Sequence, residues 1–476
     1  MGSRLSTFIM LGAAACCALL PAAAGLLYSP PPAHAGFFDE FGIKDEEMLG
    51  KKFSIMVRSQ MPLVEDPEIK DYVCSIVDRL SKAVPPQPFD FKTSVLLHKS
   101  MNAFAVPGGY VFVHTGLIMQ LEHESELAGV IAHELAHVTQ RHVASRIDRA
   151  KLTTIASVLG ALAGAFLGGN AGGAVLTGSF AANQSTMLNY SRLDETEADE
   201  IGLQYLVRAG FRPQGMVGSF EKIRRLQWMN GFSLPEYLST HPDVGSRIND
   251  ISARVQALPA GARNRPENDA KFLRARTLLW ALYGEPESAL RHFEEKRIGR
   301  GLALMGQAML AERRRNVTEA DRLFNEAMRA APNDALIHRQ AGIFHYATGS
   351  PRAEALLAAA LRLNPRDGMA QFYEARLMDD AGRHLEAQKR LTSLLKRYPE
   401  DAELHQCLGV SLGKSGKPFE GWLHLAYSAL YQNNGDKTKV WLKKAQGQAK
   451  TPEQKAALDK FEKIRKERKN FGKKDS

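Results

Sequence analysis

Turn-forming residues recur at a nearly constant interval through the carboxy-terminal half of this chain of 476 residues. Glycine or asparagine marks one series, spaced 32 to 34 residues apart: Gly284, Asn316, Gly349, Gly382 and Gly416. Prolines mark a second series in the same register: Pro332, Pro365 and Pro399. Self-similarity of this kind predicts stacked helix–turn–helix units, because a single unit cannot bury its apolar face without neighbours.

This period resembles the tetratricopeptide repeat, a helix–turn–helix unit of about 34 residues. The resemblance implies an α-solenoid over residues 269–450, with a groove that binds a peptide segment or a partner protein. Residues 259–268 are rich in proline, glycine and asparagine, which is typical of a linker, and a basic tail follows at residues 451–476. A purely structural extension is the alternative for the repeats, because a fold alone does not specify a function.

The amino-terminal half carries the motif H-E-x-x-H at His133–His137, inside a stretch whose apolar periodicity predicts a helix over Ser125–Ser145. Two histidines four residues apart lie on one helical face, so both imidazoles reach a single metal ion. Glu134, between them, is placed to take a proton from the attacking water. Such a centre generates hydroxide near neutral pH and polarises an amide carbonyl.

A second predicted helix, Arg192–Ala209, places Glu195, Asp199 and Gly202 on one face. A carboxylate from this helix would complete a catalytic zinc site with three protein ligands and one open position. Asp199, one turn further on, is placed to accept the free ring N–H of a ligating histidine. Gly202 has no side chain, so it allows the two helices to approach closely. A solvated acidic face is the alternative for this stretch.

Together, these two motifs resemble the zinc metallopeptidase family of HtpX, Oma and the CAAX prenyl endopeptidases. The likeness rests on H-E-L-A-H and on S-R-L-D-E-T-E-A-D, Ser191–Asp199. Two further segments fit the same family: Asn102–His114, before the active-site helix, and Ser239–Ile248, with its S-T-H-P and R-I elements. The likeness covers roughly residues 40–256. It implies a mainly helical zincin-type domain with a small β-sheet at residues 36–258.

The family resemblance also implies a role for each motif residue. It implies one zinc ion per chain with three protein ligands, which are His133, His137 and Glu195. It implies Glu134 as the general base and Asp199 as the partner of a ligating histidine, and it places His241 and Arg247 near the catalytic centre. His241 is expected to bind the substrate carbonyl oxygen, to stabilise the oxyanion or to occupy the open metal position at rest. Glu197 is the rival third ligand, but the family pattern E-x-x-x-D favours Glu195.

Residues 104–113 alternate in part and contain β-branched and aromatic side chains, and Pro107–Gly109 interrupts them, which predicts a hairpin or bend. An exposed strand beside the active-site helix of a zinc endopeptidase holds an extended substrate by main-chain hydrogen bonds. The candidate strand begins with the residues Asn102, Ala103 and Phe104; an ordinary buried strand is the alternative. His142 follows His137 by five residues on the predicted helix, so it is expected off the ligand face, in a structural role.

The amino terminus is typical of a cleaved secretory signal over residues 1–35. A short basic start and the apolar stretch Leu5–Leu20 precede an A-x-A cleavage site at Ala33–Ala35. We therefore expect a periplasmic protein, with an uncleaved anchor as the alternative. Two cysteines remain after cleavage, Cys74 and Cys407, and their pairing depends on geometry that a sequence does not supply.

An apolar segment rich in glycine and alanine, Leu152–Ala182, lies between the two metal motifs. Each half is about fifteen residues long, below the roughly twenty needed to span a bilayer. We expect residues 152–190 to form a flexible helix–loop–helix lid over the active-site cleft, which also touches a membrane surface or a client protein. A packed core hairpin is the alternative.

The net charge of +10 is modest for this length, and the sequence contains no recognisable nucleic-acid module. The expected function is that of a periplasmic zinc endopeptidase, also chaperone-like, that acts on unfolded or misassembled envelope and outer-membrane proteins. The repeats are expected to recruit the client or the outer-membrane assembly machinery, with peripheral membrane contact. Two alternatives stay open: a non-catalytic tetratricopeptide scaffold with an idle metal site, and a membrane-anchored zinc protease.

Overall fold

A three-stranded β-sheet lies in the amino-terminal half, and helices pack against it. The computed structural model describes residues 41–150, 152, 154–166, 190–229, 236–241 and 243–469. The strands are β1 (Lys92–Leu96), β2 (Ala103–Val106) and β3 (Tyr110–His114), in the order β1-β3-β2. The predicted signal at residues 1–35 lies outside the described residues.

The predicted hairpin is confirmed between β2 and β3, which pair antiparallel with Phe104 opposite Phe112. Its turn contains Gly108 and Gly109, both at φ +80°, a backbone region that glycine occupies without strain. β1 pairs with β3 in parallel. This order leaves β2 at one edge of the sheet, beside the helix that carries H-E-x-x-H.

Helices surround the sheet in the amino-terminal half. They are α1 (Ile43–Gln60), α2 (Pro67–Ser81), α3 (Thr115–Gln120), α4 (Glu124–Thr139), α5 (His142–Arg149), α6 (Ile155–Phe166), α7 (Arg192–Arg208), α8 (Gln214–Met229), α9 (Glu236–Thr240), α10 (Val244–Ala257) and α11 (Ala260–Arg263). α4 carries H-E-x-x-H and is buried along nearly its whole length. The apolar positions that predict this helix are all buried: Leu127, Val130, Ile131, Leu135 and Val138.

The prediction of one continuous helix over Ser125–Ser145 is wrong, because the chain turns after Thr139. Arg141 takes up a left-handed conformation with φ 55°, and α5 begins at the next residue. Two hydrogen bonds hold this turn. Arg141 Nε donates to Glu46 Oε1 at 2.6 Å, and Arg141 Nη2 donates to the carbonyl oxygen of Phe41 at 2.7 Å. The change of direction brings the start of α5 back toward the metal motifs.

Paired helices fill the carboxy-terminal half, five pairs in the predicted period and a sixth that extends into the predicted basic tail at residues 451–476. They are α12 (Ala270–Tyr283), α13 (Pro286–Phe293), α14 (Arg300–Arg313), α15 (Val317–Ala330), α16 (Ala335–Ala347), α17 (Arg352–Leu363), α18 (Gly368–Asp380), α19 (His384–Arg397), α20 (Ala402–Lys414), α21 (Pro418–Tyr431), α22 (Gly435–Gln448) and α23 (Pro452–Lys469). Each predicted turn residue falls between the two helices of a pair, and Gly349, Gly382 and Gly416 have φ between +68° and +76°. The predicted fold class, mainly helical with a small sheet followed by helical repeats, is confirmed.

One apolar core runs from the sheet into the first repeats. It extends along the chain from Val64 to Phe344 and includes residues of α4, α7 and α12. Residues 259–268, the predicted linker, contain α11 and also Glu267, which accepts a hydrogen bond from Ser125 Oγ at 2.7 Å. The apolar packing continues across residues 259–268. The division of the chain into two domains there therefore stays a prediction.

Ion pairs join the start of α2 to successive repeat helices. Arg339 of α16 is 1% exposed; its Nη2 lies 3.1 Å from Asp66 Oδ2 and its Nη1 lies 3.5 Å from Asp367 Oδ1. Arg274 of α12 pairs with Glu68 at 2.9 Å. A buried charge is tolerated only beside its partner, so the placement of the repeats against α2 depends on Arg339.

Part of the predicted lid belongs to a packed apolar cluster. α6 lies against α1, and the ring of Phe166 stacks on the ring of Phe104 at a centroid distance of 5.0 Å. Residues 167–189 lie outside the described residues, so the lid stays a prediction. Among the helices that the structure describes, none is long and apolar enough to cross a membrane. Cys74 and Cys407 are free thiols.

We predict that Arg339→Ala lowers the free energy of unfolding by roughly 3–5 kcal/mol, because it leaves Asp66 and Asp367 as buried carboxylates without a counter-charge. Urea unfolding followed by circular dichroism measures this loss. The control is Arg383→Ala, which breaks an exposed ion pair with Glu354 and is expected to cost less than about 1 kcal/mol. Equal losses for the two variants would contradict the prediction.

Candidate metal centre

α4 and α7 approach each other very closely where the two metal motifs meet. At Gly202 of α7, a Cβ atom would lie 3.0 Å from both the Cα and the N atom of His133. The helices reach this distance because position 202 has no side chain, in agreement with the sequence. Gly202 thereby brings the side chains of Glu195 and Asp199 next to the motif histidines.

Four side-chain donors converge in the buried space between these helices. His133 and His137 have their Nε2 atoms 2.9 Å apart, and Glu195 Oε1 lies 3.3 Å from His137 Nε2. His241 Nδ1 lies 2.9 Å from Glu195 Oε1 and 3.3 Å from His133 Nε2. One ligand atom from each residue lies within 4.8 Å of the others, and all four side chains are buried.

This donor set fits a zinc ion. Bonds of about 2.0–2.1 Å in a tetrahedral arrangement place neighbouring donor atoms roughly 3.3 Å apart. The separations of 2.9 and 3.3 Å lie close to that value. Imidazole nitrogen and carboxylate oxygen are also the donors that zinc takes in catalytic sites. His241 supplies the fourth possible donor of this cluster.

Glu134 lies beside this cluster and is fully buried. Its Oε2 accepts a hydrogen bond from the backbone N–H of Ala105 in β2 at 3.3 Å, and its Oε1 lies 3.5 Å from His241 Nε2. Burial raises the pKa of Glu134 to about 7. A carboxyl group with such a pKa accepts and releases a proton readily near neutral pH, which is what a general base requires.

Arg247 of α10 organises the acidic side of the site. Its Nε and Nη2 donate to the two carboxylate oxygens of Asp199, each at 2.7 Å, and its Nη1 pairs with Glu195. Asp199 Oδ1 in turn lies 2.9 Å from His133 Nδ1. Burial acts to raise the pKa of Glu195, but the charges of His241 and Arg247 hold that pKa well below its ordinary value. Arg247 thus lies beside the donor cluster, where it pairs with two carboxylates.

Two tyrosine rings line the site, and the sequence motifs do not single them out. Tyr237 of α9 stacks on His241 at a centroid distance of 4.3 Å, and Tyr190 stacks on His137 at 3.8 Å. Both phenol hydroxyls are buried, and neither has a hydrogen-bond partner within the described part of the chain. The available signal is spacing, since Tyr237 precedes His241 by one helical turn.

β2 runs beside Glu134 at the edge of the sheet. Its predicted substrate-contact residues are all buried: Asn102, Ala103 and Phe104. The ring of Phe104 stacks on Phe112 and on Phe166, with a centroid distance of 5.0 Å in each case. Among the strands described, none pairs with the outer edge of β2. β2 is therefore both an edge strand and a covered strand, and its role in substrate binding stays a prediction.

His142 contacts a motif histidine, which the sequence does not predict. His137 Nδ1 lies 2.8 Å from His142 Nδ1, and His142 Nε2 lies 3.2 Å from Glu197 Oε2. Glu197, the rival third ligand, is 52% exposed and lies outside the donor cluster. A continuous helix would direct His142 away from the ligand face, whereas the left-handed turn at Arg141 directs it back.

The fold and the donor set define a metallopeptidase of the H-E-x-x-H class, in which two helices supply most of the metal ligands. A family model described as Peptidase family M48 matches residues 65–255. The metalloprotease LoiP of Escherichia coli K12 is 30% identical over 190 residues, which cover 38% of this chain and 69% of that protein. The chain belongs to peptidase family M48, whose metalloproteases use zinc, so the predicted family and the predicted cofactor are confirmed.

Other relatives match over a longer stretch. The beta-barrel assembly-enhancing proteases of Yersinia pestis and Escherichia coli K12 are 31% and 32% identical over 301 and 300 residues. These matches cover 61% and 62% of this chain, and the chain spans 61% of the length of each relative. Among solved structures, YrrB, described as a TPR protein with an unusual peptide-binding site, is 20% identical with a TM-score of 0.29, covering 37% of this chain and 92% of that chain.

We predict that Gly202→Ala weakens zinc binding by about 10–100-fold, because the added methyl group pushes α7 away from α4 and moves Glu195 out of position. The same overpacking lowers the free energy of unfolding by about 1–3 kcal/mol. Competition with a chromogenic chelator and urea unfolding measure the two effects. In the control, Gly245→Ala, the new Cβ meets no atom within 4 Å, so zinc affinity should stay unchanged and the free energy of unfolding should not fall. Normal zinc affinity of Gly202→Ala would argue against the close-contact explanation.

Proposed function

We propose that this protein is a zinc-dependent endopeptidase that cleaves unfolded or misassembled envelope and outer-membrane proteins in the periplasm. The observation that carries the proposal is the buried carboxyl group of Glu134 beside four converging metal donors. Three of these residues would hold the zinc ion during turnover: His133, His137 and Glu195. His241 would close the fourth position at rest.

The chemistry divides between the metal and Glu134. When bound, zinc supplies Lewis acidity, which lowers the pKa of water toward about 7 and polarises a peptide carbonyl. Glu134 takes the proton of the attacking water on Oε1, the oxygen without a hydrogen-bond partner among the described residues, and passes it to the leaving amine nitrogen. The Oε2 atom stays bonded to the N–H of Ala105, which fixes the orientation of the carboxyl group.

The substrate is proposed to be an extended segment that lies along the outer edge of β2. This edge runs beside Glu134, and an added strand is held there by main-chain hydrogen bonds without regard to most side chains. Folded proteins seldom offer such a segment, whereas unfolded or misassembled ones do. Access requires Phe166 of α6 to leave the ring of Phe104, and it requires His241 to leave the donor cluster.

We propose that the repeats recruit the client or the outer-membrane assembly machinery, and that they also give the protein a chaperone-like binding activity. The relatives at 31% and 32% identity are named beta-barrel assembly-enhancing proteases, which supports this class of client. The signal-like residues 1–35 support a periplasmic location, with peripheral contact to the membrane.

We predict that Glu134→Gln lowers the rate of casein cleavage by about 100- to 10,000-fold, because an amide cannot accept the proton of the attacking water. Fluorescence release from labelled casein measures the rate, and metal analysis should show an unchanged zinc content. Treatment of the wild-type protein with EDTA should abolish cleavage, and added zinc should restore it.

The matched control is Glu200→Gln, which changes a carboxylate on the exposed side of α7 and should keep full activity. Chelator-resistant cleavage would overturn the proposed metal mechanism. Full cellular function of Glu134→Gln would instead favour the alternative of a non-catalytic repeat scaffold.

A further inference from the structure

The two motif histidines have different partners on the side that faces away from the metal donors. His133 Nδ1 lies 2.9 Å from Asp199 Oδ1, a direct contact with a carboxylate of α7. At His137 an imidazole takes that place, since His137 Nδ1 lies 2.8 Å from His142 Nδ1. His142 Nε2 in turn lies 3.2 Å from Glu197 Oε2. The series of contacts that starts at His137 therefore also ends on a carboxylate of α7.

We propose that His142 and Glu197 form a relay that positions the His137 ring for metal binding, an inference that rests on the proposed zinc site. When the Nε2 lone pair of His137 points at the metal, its proton is on Nδ1 and is donated to His142 Nδ1. His142 must then carry its own proton on Nε2 and donate it to Glu197. Each hydrogen bond therefore has one direction, and the carboxylate fixes the tautomer and orientation of both rings.

The backbone around His142 is held in place by contacts on both sides. Arg141, the preceding residue, adopts the left-handed conformation and is anchored by Glu46. Arg146 of α5 pairs with Asp194 in the first turn of α7. A non-glycine residue in this backbone region is unfavourable, so tertiary contacts must impose it. These contacts leave the His142 side chain 5% exposed and keep both ring nitrogens within hydrogen-bond distance of a partner.

The two members of the relay differ in their exposure to solvent. The His142 side chain is buried, whereas Glu197 is 52% exposed. Water can replace an exposed carboxylate as an acceptor far better than it can replace a buried imidazole. Loss of His142 should therefore weaken metal binding more than loss of Glu197. His142 is a positioning residue, because it acts through His137 and lies outside the donor cluster.

Two substitutions of nearly equal size test the relay. Asparagine at position 142 carries an amide oxygen near the place of Nδ1 and keeps an acceptor for His137, whereas leucine has none. We predict that His142→Leu weakens zinc binding by about 10–100-fold in a chelator competition, while His142→Asn stays within a few-fold of the wild type. Glu197→Ala should show a smaller loss in the same direction.

The melting temperature of the metal-free protein separates positioning from packing. A positioning role leaves this temperature near the wild-type value in His142→Leu and reduces the rise in melting temperature that zinc produces. Equal losses in the metal-free and zinc-loaded forms would overturn the relay, and so would equal zinc affinities of His142→Leu and His142→Asn.

A variant on the exposed side protects the test against a folding failure. If His142→Leu does not fold, Glu197→Ala decides the matter: weaker zinc binding supports the relay and wild-type affinity overturns it. The wild-type protein is the reference for the site itself. Failure of the wild type to bind zinc would overturn the zinc site, whereas normal wild-type binding with unaffected variants would overturn only the relay.

Discussion

The contact between α4 and α7 at Gly202 is the constraint on which the metal centre depends. Three of the four donors come from these two helices, and each donor loses its water when it is buried. The apolar core around α4 supplies the packing that offsets this loss and prevents the two motif histidines from turning outward. α7 must therefore pack directly against α4, and the absence of a Cβ atom at Gly202 makes this close packing sterically possible.

Much of the fold and site follows from local signals in the sequence. H-E-x-x-H places its two histidines on one helical face, as E-x-x-x-D does its two carboxylates, and the repeat period marks five of the helix pairs. Helical geometry also explains why Glu195 reaches the donors and Glu197 does not, since two residues of helix turn a side chain to the opposite side. The hairpin was predictable because its turn contains two adjacent glycines, Gly108 and Gly109.

The unpredicted features depend on contacts between residues far apart in the chain. Gln140 and Arg141 are neither glycine nor proline, so nothing local marks the end of α4. Glu46, almost a hundred residues earlier, is what holds Arg141 in its left-handed conformation. The placement of Tyr190 against His137 arises in the same way, from packing between residues far apart in the chain.

The shared core and the buried Arg339 bear on how this architecture can evolve. The guanidinium of one half is neutralised by Asp66 of the other, so neither half presents a complete surface of its own. A repeat array taken from another protein would leave Asp66 without its arginine partner and would not match the apolar surface of the amino-terminal half. Peptidase and repeats are therefore expected to diversify in concert, with compensating changes on both sides, rather than to be shuffled as independent modules.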